Sequence, residues 1–190
     1  MRRIYENEWS AIGFEDDYQE QEYKKDGLEQ LRTFHAAMME SLPKILEQEK
    51  SFELDLENNV IVKGRIDQIN LLGQLNSLER KDVEIVDYKT GKPRKDAEAK
   101  KDLQLSIYAI AVKEILELNP VRLVFHYLQN NQRQETTRDA KQLDEAQKIV
   151  QEAAAEIRAG EFAAKPGFQC RGCAFKPICP AHEEALAAGV

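Results

Sequence analysis

Between Leu103 and Leu118 the chain is apolar almost all round, through Leu105, Ile107, Tyr108, Ile110, Ala111 and Val112, until Asn119-Pro120 stops it. A helix on a protein surface keeps one polar face, so a helix without one must be covered on more than one side. Val83 to Tyr88 makes a similar demand. Apart from Glu84 and Asp87 it is apolar on both alternating faces, as a strand in the middle of a sheet must be.

Other segments supply the cover. From Asp17 to Met39 charged residues are interrupted by Tyr18, Tyr23, Leu28, Leu31, Phe34 and Met38 at three-and-four spacing, which predicts an amphipathic helix ended near Pro43. The period then changes to two: Phe52, Leu54 and Leu56 alternate with acidic residues, Asn58-Asn59 turns the chain, and Val60 to Ile69 runs back as a hairpin. Val121 to Leu128 predicts another strand, Arg133 to Arg138 its weaker partner, and Leu143 to Ala159 an Ala-rich helix ended by Gly160. The order helix, three strands, helix, two strands, helix predicts an α/β fold with a mixed central sheet flanked by helices.

A chain of 190 residues with 42% apolar content is enough for one ordinary domain. The expected division is a domain over residues 1–164 and a Cys-containing tail over 165–190 that belongs to it. Apolar runs are short and MRRIYENEW is too charged for a signal peptide, so neither a membrane nor a secreted location is expected, and the cytoplasm is. With 27 Lys+Arg against 34 Asp+Glu, the net charge of −7 has the wrong sign for a protein that coats nucleic acid. Basic residues concentrate once, from Lys89 to Lys101, which reads either as a solvated loop or as a local phosphate-facing stretch.

Three polar residues stand where a sheet interior would prefer none: Asp67 in GRID, and Asp87 with Lys89 in EIVDYK. Strand residues two apart share a face, so Asp87 and Lys89 project side by side, whereas Glu84 faces the other way. If the strands pair, Asp67 can meet Asp87, and two close carboxylates repel unless a cation sits between them; oxygen donors of this kind suit Mg²⁺ or Mn²⁺. A lone D-x-K is ordinarily a strand-end ion pair beside a turn, here Thr90-Gly91. This triplet is accompanied by DLQLSIYA, in which Gln104 and Tyr108 lie four apart on one helical face.

GRIDQI, EIVDYKTGK and DLQLSIYA, in this order from Gly64 to Tyr108, resemble the three core motifs of the RecB-like branch of the PD-(D/E)xK nuclease superfamily. The resemblance implies a restriction-endonuclease-like core. Asp67 and Asp87 would be metal ligands, with the carbonyl of Tyr88 a third, and Lys89 the catalytic lysine. Gln104 and Tyr108 would line the active site and its DNA; the alternative for them is a buried polar pair capping the sheet. A His on the first helix often adds a metal ligand in this family. His35 is the His of that region and is expected on the buried side near Phe34 and Met38, as a ligand or as a core or surface histidine.

Near the end, Cys170, Cys173 and Cys179 form C-x2-C-x5-C. An odd, clustered set argues against a disulfide framework, and close thiolates suit zinc or an iron–sulfur cluster, each of which normally takes four ligands. The tail resembles the C-terminal half of the iron–sulfur staple in AddB-type nucleases, and with the core motifs it looks most like the nuclease domain at the C-terminus of UvrD/PcrA-like helicases. In such a parent protein a fourth Cys would precede residue 1, so the cluster is expected to be incomplete here; the alternatives are a lost cluster that leaves the cysteines as relics, or His182 completing a zinc site. The reading as a whole is an Mg²⁺- or Mn²⁺-dependent deoxyribonuclease, exonucleolytic, with DNA and helicase domains as partners in recombination and repair. The other reading is a catalytically silent nuclease-fold module that binds DNA or acts as a scaffold.

Overall fold

The computed structural model describes residues 1–73 and 81–181, so the loop expected around Leu72 to Lys81 lies largely outside the described residues, as does His182. Two compact units emerge, Met1–Ile149 and a second beginning at Val150. The first opens with α1 (Arg2–Glu8) and α2 (Asp17–Glu40). Asp16 starts α2, its Oδ1 accepting from the Gln19 N–H at 2.7 Å, with Asp17 and Glu20 in the positive first turn. The hairpin follows as β1 (Ile45–Leu56) and β2 (Val60–Leu71), then β3 (Asp82–Lys89). Asn58 and Asn59 both take positive φ, 63° and 57°, which asparagine tolerates better than other residues with a Cβ.

A short α3 (Asp96–Ala99) and α4 (Leu103–Ile115) then lead to β4 (Asn119–Tyr127), and β5 (Gln132–Thr136) precedes α5 (Ala140–Ala159). The sheet order is β1-β2-β3-β4-β5, antiparallel throughout except for the parallel β3–β4 pair that α4 connects. This is the mixed α/β fold expected. Asp102 caps α4, its Oδ1 accepting from Leu105 N–H at 2.9 Å, and seven residues of the helix are buried. The core gathers Ile69, Val83, Ile85, Leu105, Val112, Leu123 and Phe125. Among the described residues no helix is long and apolar enough to cross a membrane.

The sheet carries an unusual polar network. Gln68, Asn70 and Glu84 are all buried; Gln68 donates to Asn70 Oδ1 (2.8 Å) and Asn70 to Glu84 Oε1 (3.1 Å). Arg133 from β5 and Arg122 from β4 close on Glu84 Oε2 at 2.6 and 3.4 Å. Glu84 therefore takes no part in the cluster built on Asp87, as strand parity required. Phe34 of α2 lies on Tyr88 and His126, with ring centroids 5.6 and 5.3 Å away.

Gly64 has a steric task. A Cβ there would lie 2.6 Å from Phe52 Cζ, because the Phe52 ring crosses the glycine on its way to an edge contact with Tyr108, centroids 5.9 Å apart. Gly64→Ala should force Phe52 aside and destabilise the fold by about 1–3 kcal/mol, as overpacking does. Chemical denaturation of the variant checks this; an unchanged midpoint would show that the ring moves freely.

Candidate active site

The ladder between β2 and β3 runs from Leu71↔Val83 to Gln68↔Val86. The pairing ends there, one register step short of Asp67 and Asp87. Asp67 Oδ2 accepts the Tyr88 backbone N–H at 2.8 Å. Asp67 is half-buried and Asp87 is 2% exposed.

Burial pushes the Asp87 carboxyl above the ordinary Asp range. Lys89 pulls it down, while the negative charges of Asp67 and Asp102 push it further up. The Lys89 ammonium is 2.6 Å from Asp87 Oδ2, a close ion pair, and no other polar group among the described residues reaches that buried oxygen. Paired with that one ammonium, the oxygen keeps lone-pair capacity that a cation or water can use.

Lys89 is positioned from the helix above it. Its Nζ donates to Gln104 Oε1 at 2.9 Å; Gln104 Nε2 donates to Tyr108 Oη at 2.8 Å; and Tyr108 Oη donates to the Arg65 carbonyl, also at 2.8 Å. The four-residue spacing on α4 thus spans from the lysine to the backbone of β2. Burial raises the Tyr108 pKa, which keeps its donated proton in place. The relay fixes the amide orientation of Gln104, so both residues serve as struts for Lys89 in this arrangement. Below the ammonium lies the buried Phe125 ring, 5.3 Å away.

Asp67, Asp87, Lys89, Gln104 and Tyr108 are therefore brought together. His35 is not part of this set: it is exposed on α2 instead of buried, because the helix turns Phe34 to Tyr88 and His126 and leaves the next position facing solvent. Among the described residues no three His, Cys, Asp or Glu side chains converge closely enough to hold a metal. Two carboxylates with a backbone carbonyl remain a hard-oxygen donor set of the kind Mg²⁺ or Mn²⁺ takes. Phe125 and Asp102 escaped the sequence reading, although an Asp immediately before an apolar helical run is a recognisable cap signal.

In the second unit, a short 3₁₀ turn over Phe168–Gly172 contains Cys170 and is followed directly by Cys173, and a second over Lys176–Ile178 is followed directly by Cys179. All three are free thiols and line one cavity of about 90 Å³ with Lys165 and Lys176. The Gly167 N–H donates to Cys170 Sγ at 3.4 Å. Three thiols that do not converge fall short of a four-ligand zinc or iron–sulfur set among the described residues.

No curated protein sequence matches the chain. Among solved structures it is similar to the crystal structure of SSO0001, at 16% identity and a TM-score of 0.48 over 95% of this chain and 94% of that one. The family model of the PD-(D/E)XK nuclease superfamily matches residues 1–180. Because that match runs through β2, β3 and the helix that braces Lys89, the chain belongs to the PD-(D/E)XK nuclease superfamily, whose members are typically metal-dependent nucleases.

Proposed function

We infer that this chain is an Mg²⁺- or Mn²⁺-dependent deoxyribonuclease that works from DNA ends, with its nuclease domain over residues 1–164 and the Cys tail over 165–190 part of the same domain. The observation that carries the reading is the buried Asp87 carboxylate, close to the Asp67 charge and paired with a lysine held by its own relay. A structural ion pair needs neither the second carboxylate nor the relay. The C-x2-C-x5-C tail, together with GRID and DYKTGK, supports placement beside UvrD/PcrA-like, AddB-related helicase domains, in cytoplasmic DNA recombination and repair. In that setting an iron–sulfur cluster would belong to the parent protein, with zinc as the other metal suited to the tail.

In mechanism, Asp67 and Asp87 would hold the divalent cation with help from the Tyr88 carbonyl. When bound, that ion supplies Lewis-acid polarisation of the scissile phosphate and acidifies the attacking water. Lys89 has three N–H donors, of which Asp87 and Gln104 engage two. The third is left to orient water or to meet the negative charge that grows on the phosphoryl oxygens. Gln104 and Tyr108 keep that donor in register.

The test is cleavage of end-labelled single- and double-stranded linear DNA, with a closed circle alongside, in Mg²⁺ or Mn²⁺ and in EDTA. Metal-dependent loss of linear DNA with the circle spared is expected. A nicked circle would exclude an end requirement, and no metal-dependent cleavage in a folded chain would favour the silent module. His35→Ala in the same assay decides whether that histidine contributes a ligand: full activity removes it.

A further inference from the structure

The basic stretch between β3 and α4 is not uniform. Lys92, Lys95, Lys100 and Lys101 are exposed and form no ion pair among the described residues, whereas Arg94 is fastened at every level. Its backbone N–H donates to Tyr127 Oη at 3.1 Å and its carbonyl accepts from Gln134 Nε2 at 2.9 Å, which ties this point of the loop to β4 and β5. Its NH1 donates to Asp102 Oδ2 at 2.6 Å. The guanidinium also lies 5.5 Å from the centre of the Phe125 ring, the same ring that underlies the Lys89 ammonium.

Asp102 makes a firm holder. It is 9% exposed, and its other oxygen is fixed as the cap of α4. The Arg94 side chain itself is 47% exposed, and among the described residues Nε and NH2 make no hydrogen bond. The result is an oriented guanidinium with one edge tied to protein and open donors beside the site. A mobile lysine must lose side-chain freedom when it meets a phosphate; this arginine lost most of it on folding.

We propose that Arg94 is a pre-organised phosphate-binding residue, held by Asp102 and Phe125, that grips a phosphodiester flanking the one presented to Asp67, Asp87 and Lys89. The assignment rests on the nuclease reading for its substrate class, a nucleic-acid strand. It makes Arg94 a determinant of where the strand lies, while the neighbouring lysines contribute diffuse attraction.

The test measures binding of a fluorescent DNA oligonucleotide to the full chain in EDTA, so that it does not depend on cleavage. Arg94→Ala should weaken binding about tenfold or more and lower the salt slope by about one, whereas Lys92→Ala and Lys95→Ala stay within about twofold. Arg94→Lys should recover little, because a point charge lacks the fork that meets two phosphate oxygens. In oligonucleotides carrying single methylphosphonates, one position should weaken the wild type but leave Arg94→Lys unaffected. Equal losses from all three alanine variants, the same methylphosphonate profile for wild type and Arg94→Lys, or no DNA binding by the wild type would each overturn the proposal. If Arg94→Ala fails to fold, the comparison with Arg94→Lys decides. Binding as predicted without metal-dependent cleavage would instead retire the nuclease reading and leave the phosphate site standing.

Discussion

Asp87→Asn is expected to abolish metal-dependent cleavage and, in EDTA at neutral pH, to raise the melting temperature. Both effects come from one carboxylate. A buried Asp whose pKa is raised binds its proton more tightly folded than unfolded. Such a group stabilises the fold below its unfolded pKa, and that contribution disappears as pH rises through the folded value. Once the pH has passed that folded value, ionised Asp87 is a net burden that Lys89 only partly relieves, and the neutral isostere removes it. The difference in melting temperature should shrink as the pH falls to about 4, where the unfolded Asp also protonates. On the activity side, loss of a ligand worth several kcal/mol to the transition state means about a thousandfold or more in rate. Mg²⁺ should raise the melting temperature of the wild type and leave the variant unmoved. Lower thermal stability of Asp87→Asn in EDTA at neutral pH would contradict the burial argument.

Lys89→Ala is expected to separate binding from chemistry. Cleavage should fall by about 100- to 1,000-fold, the usual loss when one fixed donor to a developing oxyanion is removed. The affinity for Mn²⁺ should hold or rise, because an ammonium 2.6 Å from Asp87 Oδ2 competes with any cation for that oxygen. Without Lys89 the Asp87 pKa moves further up, so metal binding should weaken at a higher pH on acidification than in the wild type. Lys89→Arg should not rescue cleavage, since the planar guanidinium cannot occupy the point between Asp87 and Gln104. Titration calorimetry with Mn²⁺, beside single-turnover cleavage, reads both quantities; parallel loss of the two would place Lys89 in metal binding instead.

Much of the architecture follows from local pattern. The alternation at Phe52, Leu54 and Leu56, the Asn58-Asn59 turn and the two-faced apolarity of Val83 to Tyr88 are each a direct record of what the backbone does with those side chains. Where the pattern fails, a physical interruption lies behind it. β1 starts at Ile45, earlier than the alternation at Phe52 indicates, because its pairing is irregular between Ile45 and Glu47 and Glu49 sits at a φ of 49°. α4 ends at Ile115, short of Leu118, with Glu117 in the left-handed region, so β4 begins at Asn119 and takes Pro120 into the sheet. α3 lies within a charged stretch that shows no apolar period at all.

At the site, the spacings of D-x-K and Q-x-x-x-Y were readable because each lies within one element. The pairing of Lys89 with Gln104, the shared Phe125 ring and the fastening of Arg94 join residues from different elements. His35 was misplaced on its helix for a related reason. Apolar neighbours such as Phe34 and Met38 indicate that α2 has an inner face, but only the packing of Phe34 on Tyr88 and His126 fixes its boundary.

The buried network around Glu84 also acts as a proofreading device. Its members come from four strands: Gln68 and Asn70 from β2, Glu84 from β3, Arg122 from β4 and Arg133 from β5. If one of these strands slid by a single residue, its side chains would exchange faces and the buried carboxylate would lose a partner. Hydrophobic contacts alone would punish such a slip less sharply, since one aliphatic side chain replaces another at modest loss. The same β2–β3 register ends beside Asp67 and Asp87, so a slip that breaks the charge network would also displace those two carboxylates.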